Sequence, residues 1–375
     1  MQVIADFRVW AVRLGHKITD RLCHRYCELP LTGPELSVPG SRSRSMKLRL
    51  WALVICATFC IGATPRHAHH APNPPHPLTA NAINQAEFVE KKDNAALIVK
   101  TEVLLARVGF SPGAIDGRDS DNFRKALAAF QRSNGRDATG KLDADTFKAL
   151  TAISKDPVIA DYLISDADIK GPFTKTIPAS FEDKAKLPRL DYSGPRDELA
   201  EKFHMAESLL AALNPGVDFS RAGTRIAVAD VPQKPRQAKV AKIIINKNVR
   251  SLSAFDAEGK LVAFYPASIG SKDKPAPSGE FKVKAVERNP VYHYDPRFAF
   301  KGVKTKHKFN IQAGPKNPVG LVWIDLSAPT YGIHGTPSPE KIGKTESHGC
   351  IRLTNWDALD LAAMVHRGTI VDFVG

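Results

Sequence analysis

The chain has 375 residues, 43% hydrophobic and 25% charged, with 27 prolines and 25 glycines. That composition excludes a single small domain and a wholly disordered polymer, and implies two or three globular units with linkers between them. The formal charge of +14 favours anionic partners, but no Lys/Arg block or aromatic-basic pattern accompanies it, so nucleic acid is not expected.

The first readable element is "MKLRLWALVICATFCIGA", which starts at Met46. Lys47 and Arg49 precede an apolar run over residues 50–63, followed by small residues, which is the pattern of a secretory signal peptide. The run is short of the roughly 20 residues that a spanning helix needs. Neither Cys56 nor Cys60 follows the small residue of a lipoprotein signal, so no lipid anchor is expected. On this reading residues 46–68 are a cleaved signal, residues 1–45 lie upstream of the true translation start, and the chain beyond residue 63 carries +9. The four cysteines Cys23, Cys27, Cys56 and Cys60 leave with the signal. Cys350 then stays as a lone thiol in an oxidising compartment, a liability unless it is used.

Residues 69–95 read as a Pro- and His-rich linker; its histidines lack the fixed geometry of a metal site, and no metal or cofactor is expected. Residues 96–152 then read as three short helices. Leu97, Val103, Leu104, Leu105 and Val108 recur at near-helical intervals; Phe123, Leu127 and Phe130 share a face of the second helix, with Gly135 at its end. Asp143 caps the third, which turns Phe147 and Leu150 inward. A tight turn is expected at Asp116 and Gly117, and about 55 residues of this kind fold alone only marginally. The pieces "VGFSPGAIDG", "ALAAFQRSNG" and "GKLDADTFKAL" resemble the type 1 peptidoglycan-binding domain; Asn122 stands where that family usually has threonine, which puts the cap of the second helix in question.

Residues 153–190 read as a linker with little structure of its own. Residues 191–232 give helical spacing through Leu199, Phe203, Leu209 and Leu210, then a short apolar strand at residues 226–228. This resembles a degenerate LysM module, with Leu213 and Asn214 at the turn but without the family's opening Gly-Asp-Thr. After "PQKPRQAK" the period becomes two. "VAKIIINKN", "RSLSAF" and "KLVAFYPASIG" read as consecutive hairpins, and "GEFKVKAVE", "GLVWIDLS" and "GTIVDFV" as further strands. The one helix of this part is expected from Trp356 to His366, capped by Asn355 and closed by Gly368.

A thiol attacks as the thiolate, so Cys350 needs a base or a positive field beside it. His348 is two residues away, but positions i and i−2 of a tight turn need not face one another. His334, at the end of a predicted strand in "YGIHGTP", is the better base. Gly349 permits a sharp turn in which the N–H groups of residues 349 and 350 point at one spot and hold an oxyanion.

"YGIHGTPSPEKIGKTESHGCIRLTNWDALDLA" resembles the L,D-transpeptidase (YkuD) catalytic domain over residues 238–375, with "PAPSGEF" and "GPKNPVGLVWIDLS" in support. The resemblance implies Cys350 as nucleophile, His334 as base and Gly335 as the carbonyl that orients the imidazole. His348, Gly349 and Cys350 would form the oxyanion turn, and Arg352, Tyr331, Ser347 and Tyr292 would bind substrate, Arg352 through a substrate carboxylate. "NPVYHYDPRF" is expected to be a lid.

The expected fold is therefore multi-domain α+β: a three-helix wall-binding domain, a LysM-like module and a β-rich catalytic domain with one packed helix. The expected reaction is peptidoglycan L,D-transpeptidation in the periplasm, with stem peptides and glycan, or an envelope protein as acceptor, as partners and carbapenems as inhibitors. A hydrolytic cysteine carboxypeptidase or amidase and a non-catalytic wall-binding protein are the alternatives.

Overall fold

The computed structural model describes residues 78–375 apart from 91–93, 273, 299–302, 304 and 348. The expected signal peptide and the residues upstream of it lie outside the described residues.

The stretch read as linker contains a short helix, α1 (Ala80–Asn84), before the three expected ones: α2 (Ala95–Arg107), α3 (Asp121–Ser133) and α4 (Ala144–Ile153). Each of the three is capped by a side-chain oxygen, from Asn94, Ser120 and Asp143 respectively. Phe123, Leu127, Phe130, Phe147 and Leu150 are all buried, as their spacing requires. The Asp-Gly turn is pinned from below by buried Glu102, which accepts the Gly117 N–H at 2.9 Å. Gln131 fixes the next loop: its amide donates to Lys141 O at 2.9 Å and accepts from Gly140 N at 2.9 Å. Asn122 is not a cap, since Ser120 takes that role. Its amide donates instead to Ile342 O at 2.8 Å, 220 residues away in the sheet domain.

Residues 153–190 carry more structure than their composition suggests: β1 (Ile159–Leu163), α5 (Asp166–Lys170) and α6 (Phe181–Lys184). Then come α7 (Pro195–Lys202), α8 (Glu207–Leu213) and β2 (Arg225–Ala229), and β2 pairs antiparallel with β1. The strand at the end of the LysM-like stretch thus finds its partner in a segment without a legible β pattern.

The last part is a nine-stranded sheet. Its strands are β3 (Lys242–Asn246), β4 (Ser251–Phe255), β5 (Leu261–Pro266), β6 (Ser268–Ile269), β7 (Gly279–Arg288), β10 (Val322–Leu326), β11 (Gly332–His334), β12 (Ile351–Arg352) and β13 (Ile370–Val374). They lie in the order β5-β4-β3-β13-β7-β10-β11-β12-β6, and β8 (Tyr292–Tyr294) and β9 (Phe309–Ile311) form a separate hairpin. The one α-helix among the described residues of this part, α9 (Asn355–Met364), packs on β10 and β11. Its cap is Thr354, whose hydroxyl accepts the Asp357 N–H at 3.2 Å; Asn355 is one residue inside and its side chain is used elsewhere.

The two helical modules share one apolar core, and the sheet domain, which has a core of its own, packs directly against them. Residues 109–111 lie beside β5, with Ser111 N donating to Phe264 O and Phe264 N to Gly109 O, each at 2.9 Å. Ile115 makes the same exchange with His204 and Ala206. Phe264, from the sheet, is 4% exposed and belongs to the apolar cluster built from the helical modules. A loop of the first module therefore caps the edge strand of the last, which protects that edge from pairing with another chain.

Candidate active site

Strands β11 and β12 run parallel, with Ile333 opposite Ile351 and His334 opposite Arg352. Because side chains alternate along a strand, the two isoleucines face the core together, both fully buried, while Cys350, Arg352 and His334 share the other face. Cys350, His334, Arg352 and Tyr292 all line one cavity of about 270 Å3. Cys350 is a free thiol, half-buried, and its Sγ lies 3.8 Å from Thr330 O.

His334 is 3% exposed, and its Nδ1 lies 2.7 Å from Gly335 O. A carbonyl only accepts, so Nδ1 carries the proton and Nε2 is left as the basic nitrogen. Burial, then the Arg352 charge, drive the imidazole down to about 3, against the pull of the Gly335 carbonyl. Burial likewise pushes the Cys350 thiol up, opposed by the Gly332 N–H and by the charges of Lys274 and Arg352. The resting pair is accordingly a neutral thiol and a neutral imidazole in a positively charged pocket. Arg352 itself is lowered by burial, while the Tyr292 hydroxyl is pushed up to about 12, first by burial and then by Cys350.

Two glycines make this packing possible. A β-carbon on Gly332 would sit 2.5 Å from the Trp323 ring, which stacks on His334 with centroids 5.6 Å apart. One on Gly335 would sit 2.1 Å from Asn355 Oδ1. Gly349 adopts φ +105°, the backbone region that favours glycine, as the sharp turn before the thiol requires.

Two residues expected to bind substrate are used differently. Ser347 is 2% exposed; its hydroxyl donates to Cys350 O and its N–H to Gly270 O, so it ties the turn together and does not line the cavity. Tyr331 packs against Gly349 and donates its hydroxyl to Pro275 O at 3.2 Å, bracing the same turn from the other side. His348 lies outside the described residues. The lid stretch supplies β8, and its Tyr292, His293 and Tyr294 form one wall of the cavity.

Sequence reasoning missed Lys274, Trp323, Thr330 and Phe181, which also line the cavity, beside Asp295, Pro318 and Val319. Trp323 was within reach, since it precedes Ile324 in a strand of period two and pairs in register with His334. Thr330 holds φ +70°, uncommon for a β-branched residue, with its carbonyl turned toward the thiol. Phe181 had no signal: it comes from α6 and meets Tyr292 edge-on, with ring centroids 5.7 Å apart.

The family described as the L,D-transpeptidase catalytic domain (YkuD) matches residues 241–373, and that of the peptidoglycan binding domain PG_binding_1 matches residues 96–150. A protein of Bacillus licheniformis named as the L,D-transpeptidase YkuD is 32% identical over 177 residues, 47% of this chain and 90% of the relative. YqjB of Bacillus subtilis, likewise named as an L,D-transpeptidase, is 34% identical over 135 residues, 34% of this chain and 68% of the relative. Among solved structures, L,D-transpeptidase 3 from Mycobacterium tuberculosis in complex with a faropenem-derived adduct is 16% identical, with a TM-score of 0.31, covering 41% of this chain and 75% of its own. With a relative matched over nine-tenths of its length and the thiol, imidazole and orienting carbonyl gathered on one sheet face, the chain belongs to the YkuD family of L,D-transpeptidases.

Proposed function

We propose that the protein is exported to the cell envelope and crosslinks peptidoglycan through a thioester on Cys350. The observation that carries this is the His334 Nδ1 contact to Gly335 O at 2.7 Å, which leaves Nε2 as the basic nitrogen of an imidazole that lines the same cavity as the thiol. Nε2 takes the thiol proton as Sγ bonds to the carbonyl that joins an L-centre to D-alanine in a stem tetrapeptide. The tetrahedral oxyanion rests on the N–H groups of the turn at Gly349 and Cys350. As the intermediate collapses, the C–N bond breaks and the imidazolium returns the proton to the departing D-alanine amine. An amine from a second stem then attacks the thioester, giving up a proton to His334, and the product leaves with Cys350 restored as a thiol.

Arg352 and Lys274 supply the positive field for a substrate carboxylate. The peptidoglycan-binding module and the LysM-like stretch would keep the enzyme on its polymer. Envelope location, the signal peptide and inhibition by carbapenems follow from the same reading, with a protein amine in the envelope as a second acceptor.

The test is to incubate the protein with a stem tetrapeptide, with and without an acceptor amine, and to take its intact mass after exposure to imipenem. Dimer formation that needs the amine, and an imipenem adduct absent from Cys350→Ala, are expected. Cleavage without transfer would make it a carboxypeptidase, and an adduct that survives Cys350→Ala would remove Cys350 from the chemistry.

A further inference from the structure

Asn355 links the backbone that follows His334 to a carboxylate from outside the sheet domain. Asn355, at the first position of α9, is 1% exposed, and its Oδ1 accepts from Leu321 N at 3.2 Å and Thr336 N at 3.1 Å. The same oxygen leaves no space for a β-carbon on Gly320 or Gly335, which would approach it to 2.0 and 2.1 Å. The amide therefore fixes the backbone directly after His334, including the Gly335 carbonyl that sets the imidazole tautomer.

The other end of that amide fixes Asn355 itself. Its Nδ2 donates to Glu201 Oε1 at 2.6 Å and to Pro315 O at 3.2 Å. Glu201 is on α7, in the module that precedes the sheet, 154 residues from Asn355 in sequence. Its side chain is 5% exposed, with Lys316 Nζ 3.7 Å from Oε2 and the Tyr192 hydroxyl 3.4 Å from Oε1. Lys316 is tied in turn to Asp197, one turn earlier on α7, at 2.6 Å. Oε2 has no hydrogen bond. A buried carboxylate kept in this state is costly as a mere stability device, because well-packed apolar groups do as well. What it does provide is a fixed acceptor for the Asn355 amide, which sets which way that amide faces.

We propose that Glu201 is a positioning residue for acyl transfer: through Asn355 it holds the Gly335 carbonyl, and so the His334 tautomer, making the module before the sheet part of the catalytic unit. This rests on the transpeptidase reading above. A tether alone would leave the catalytic groups indifferent to Glu201. The strut makes them depend on it.

The test uses the full chain. Glu201→Ala is expected to lower kcat for transfer, and the rate of Cys350 acylation by imipenem, by about 10- to 100-fold with KM little changed, the scale of a small misplacement near reacting groups. The proton on His334 Nδ1, followed by nitrogen-detected NMR, is expected to lose its single-tautomer signature. Asn355→Asp sets two carboxylates against each other and is expected to show the same defect. Adding Glu201→Gln to Asn355→Asp restores a donor facing an acceptor with the direction reversed, and is expected to recover at least tenfold in rate. The double variant decides the matter even where Glu201→Ala fails to fold. A Glu201→Ala protein with wild-type kcat and an unchanged tautomer, or a double variant without recovery, overturns the proposal. A wild-type protein that neither transfers nor is acylated would sink the transpeptidase reading instead.

Discussion

The pH dependence of thiol acylation tests the reading of the site most directly. An exposed imidazole titrates near 6.5, whereas His334 is driven to about 3, first by burial. At pH 7 the imidazolium then makes up only ~1 part in 10,000 of the free enzyme. The thiol, pushed above its ordinary 9.0, is protonated at the same pH. Both groups are therefore neutral over the whole middle range, and the apparent second-order rate of imipenem acylation should be flat from about pH 5 to about pH 8. The rate should fall only on the acid side, where His334 gains a proton, and rise only where the thiol ionises without help. His334→Gln removes the base and should cost about 10²- to 10⁴-fold at pH 7. Its residual rate should climb tenfold per pH unit, because only spontaneously formed thiolate remains. Arg352→Met removes one of the influences that lower the imidazole, so the acid limb should move to higher pH while burial still keeps it below 6.5. Stopped-flow absorbance of β-lactam opening gives these profiles. An inflection between pH 6 and 7 that persists in Glu201→Gln, where the carboxyl that titrates at about 7 is gone, would refute the reasoning, since it would mean that His334 titrates as a solvated side chain or that a thiolate–imidazolium pair already exists at rest.

Gly335→Ala places a β-carbon 2.1 Å from Asn355 Oδ1. It should destabilise the fold by about 3–5 kcal/mol, from overpacking plus two lost hydrogen bonds, as read by urea unfolding. Phe181→Ala opens the wall against Tyr292 and should raise KM for the stem peptide several-fold with kcat nearly unchanged in steady-state assays; a fall in kcat alone would contradict its role as wall. Acid unfolding should show two regimes. His334 and His204, both lowered to about 3 by burial, refuse protons that the unfolded chain accepts below 6.5, so each costs stability as pH falls from 6.5 to 3. Glu201 and Asp357, both raised to about 7 by burial, take protons before the unfolded chain does and so add stability as pH falls from 7 toward the ordinary carboxylate range. The two pairs offset each other down to about pH 4.5, with Glu102, also raised by burial, adding to the carboxylate side. Below that the histidines cost about 2.7 kcal/mol per pH unit, joined through the ordinary Asp range by Asp168, where burial is outweighed by Lys202, Ser165 and Tyr162, which hold it at about 2. Steady loss of stability from pH 7 downward in urea titrations would contradict that balance.

What the sequence alone determined is whatever depends on neighbours in the chain. Helix faces such as Phe123, Leu127 and Phe130, the Asp143 cap, the hairpin strands and the Gly-Cys turn are set by periods of 3.6 and 2 and by the backbone freedom of glycine. The expectation that His334 and Cys350 lie close rests on the same local signals: His334 ends β11, Cys350 directly precedes β12, and the two strands pair in parallel. Tertiary structure decided what a side chain does once its local role is filled. Asn355 has the residue type of a cap, yet Thr354 precedes it and leaves its amide to join α7 to the histidine strand. Ser347 and Tyr331 have hydrogen-bonding groups suited to a substrate, yet the turn consumes both. Phe181 reaches the cavity, and the loop at Ser111 covers β5, from segments with no period to read. Contacts between segments 150 residues apart follow from which surfaces exclude water together, and that is fixed only when the whole chain has folded.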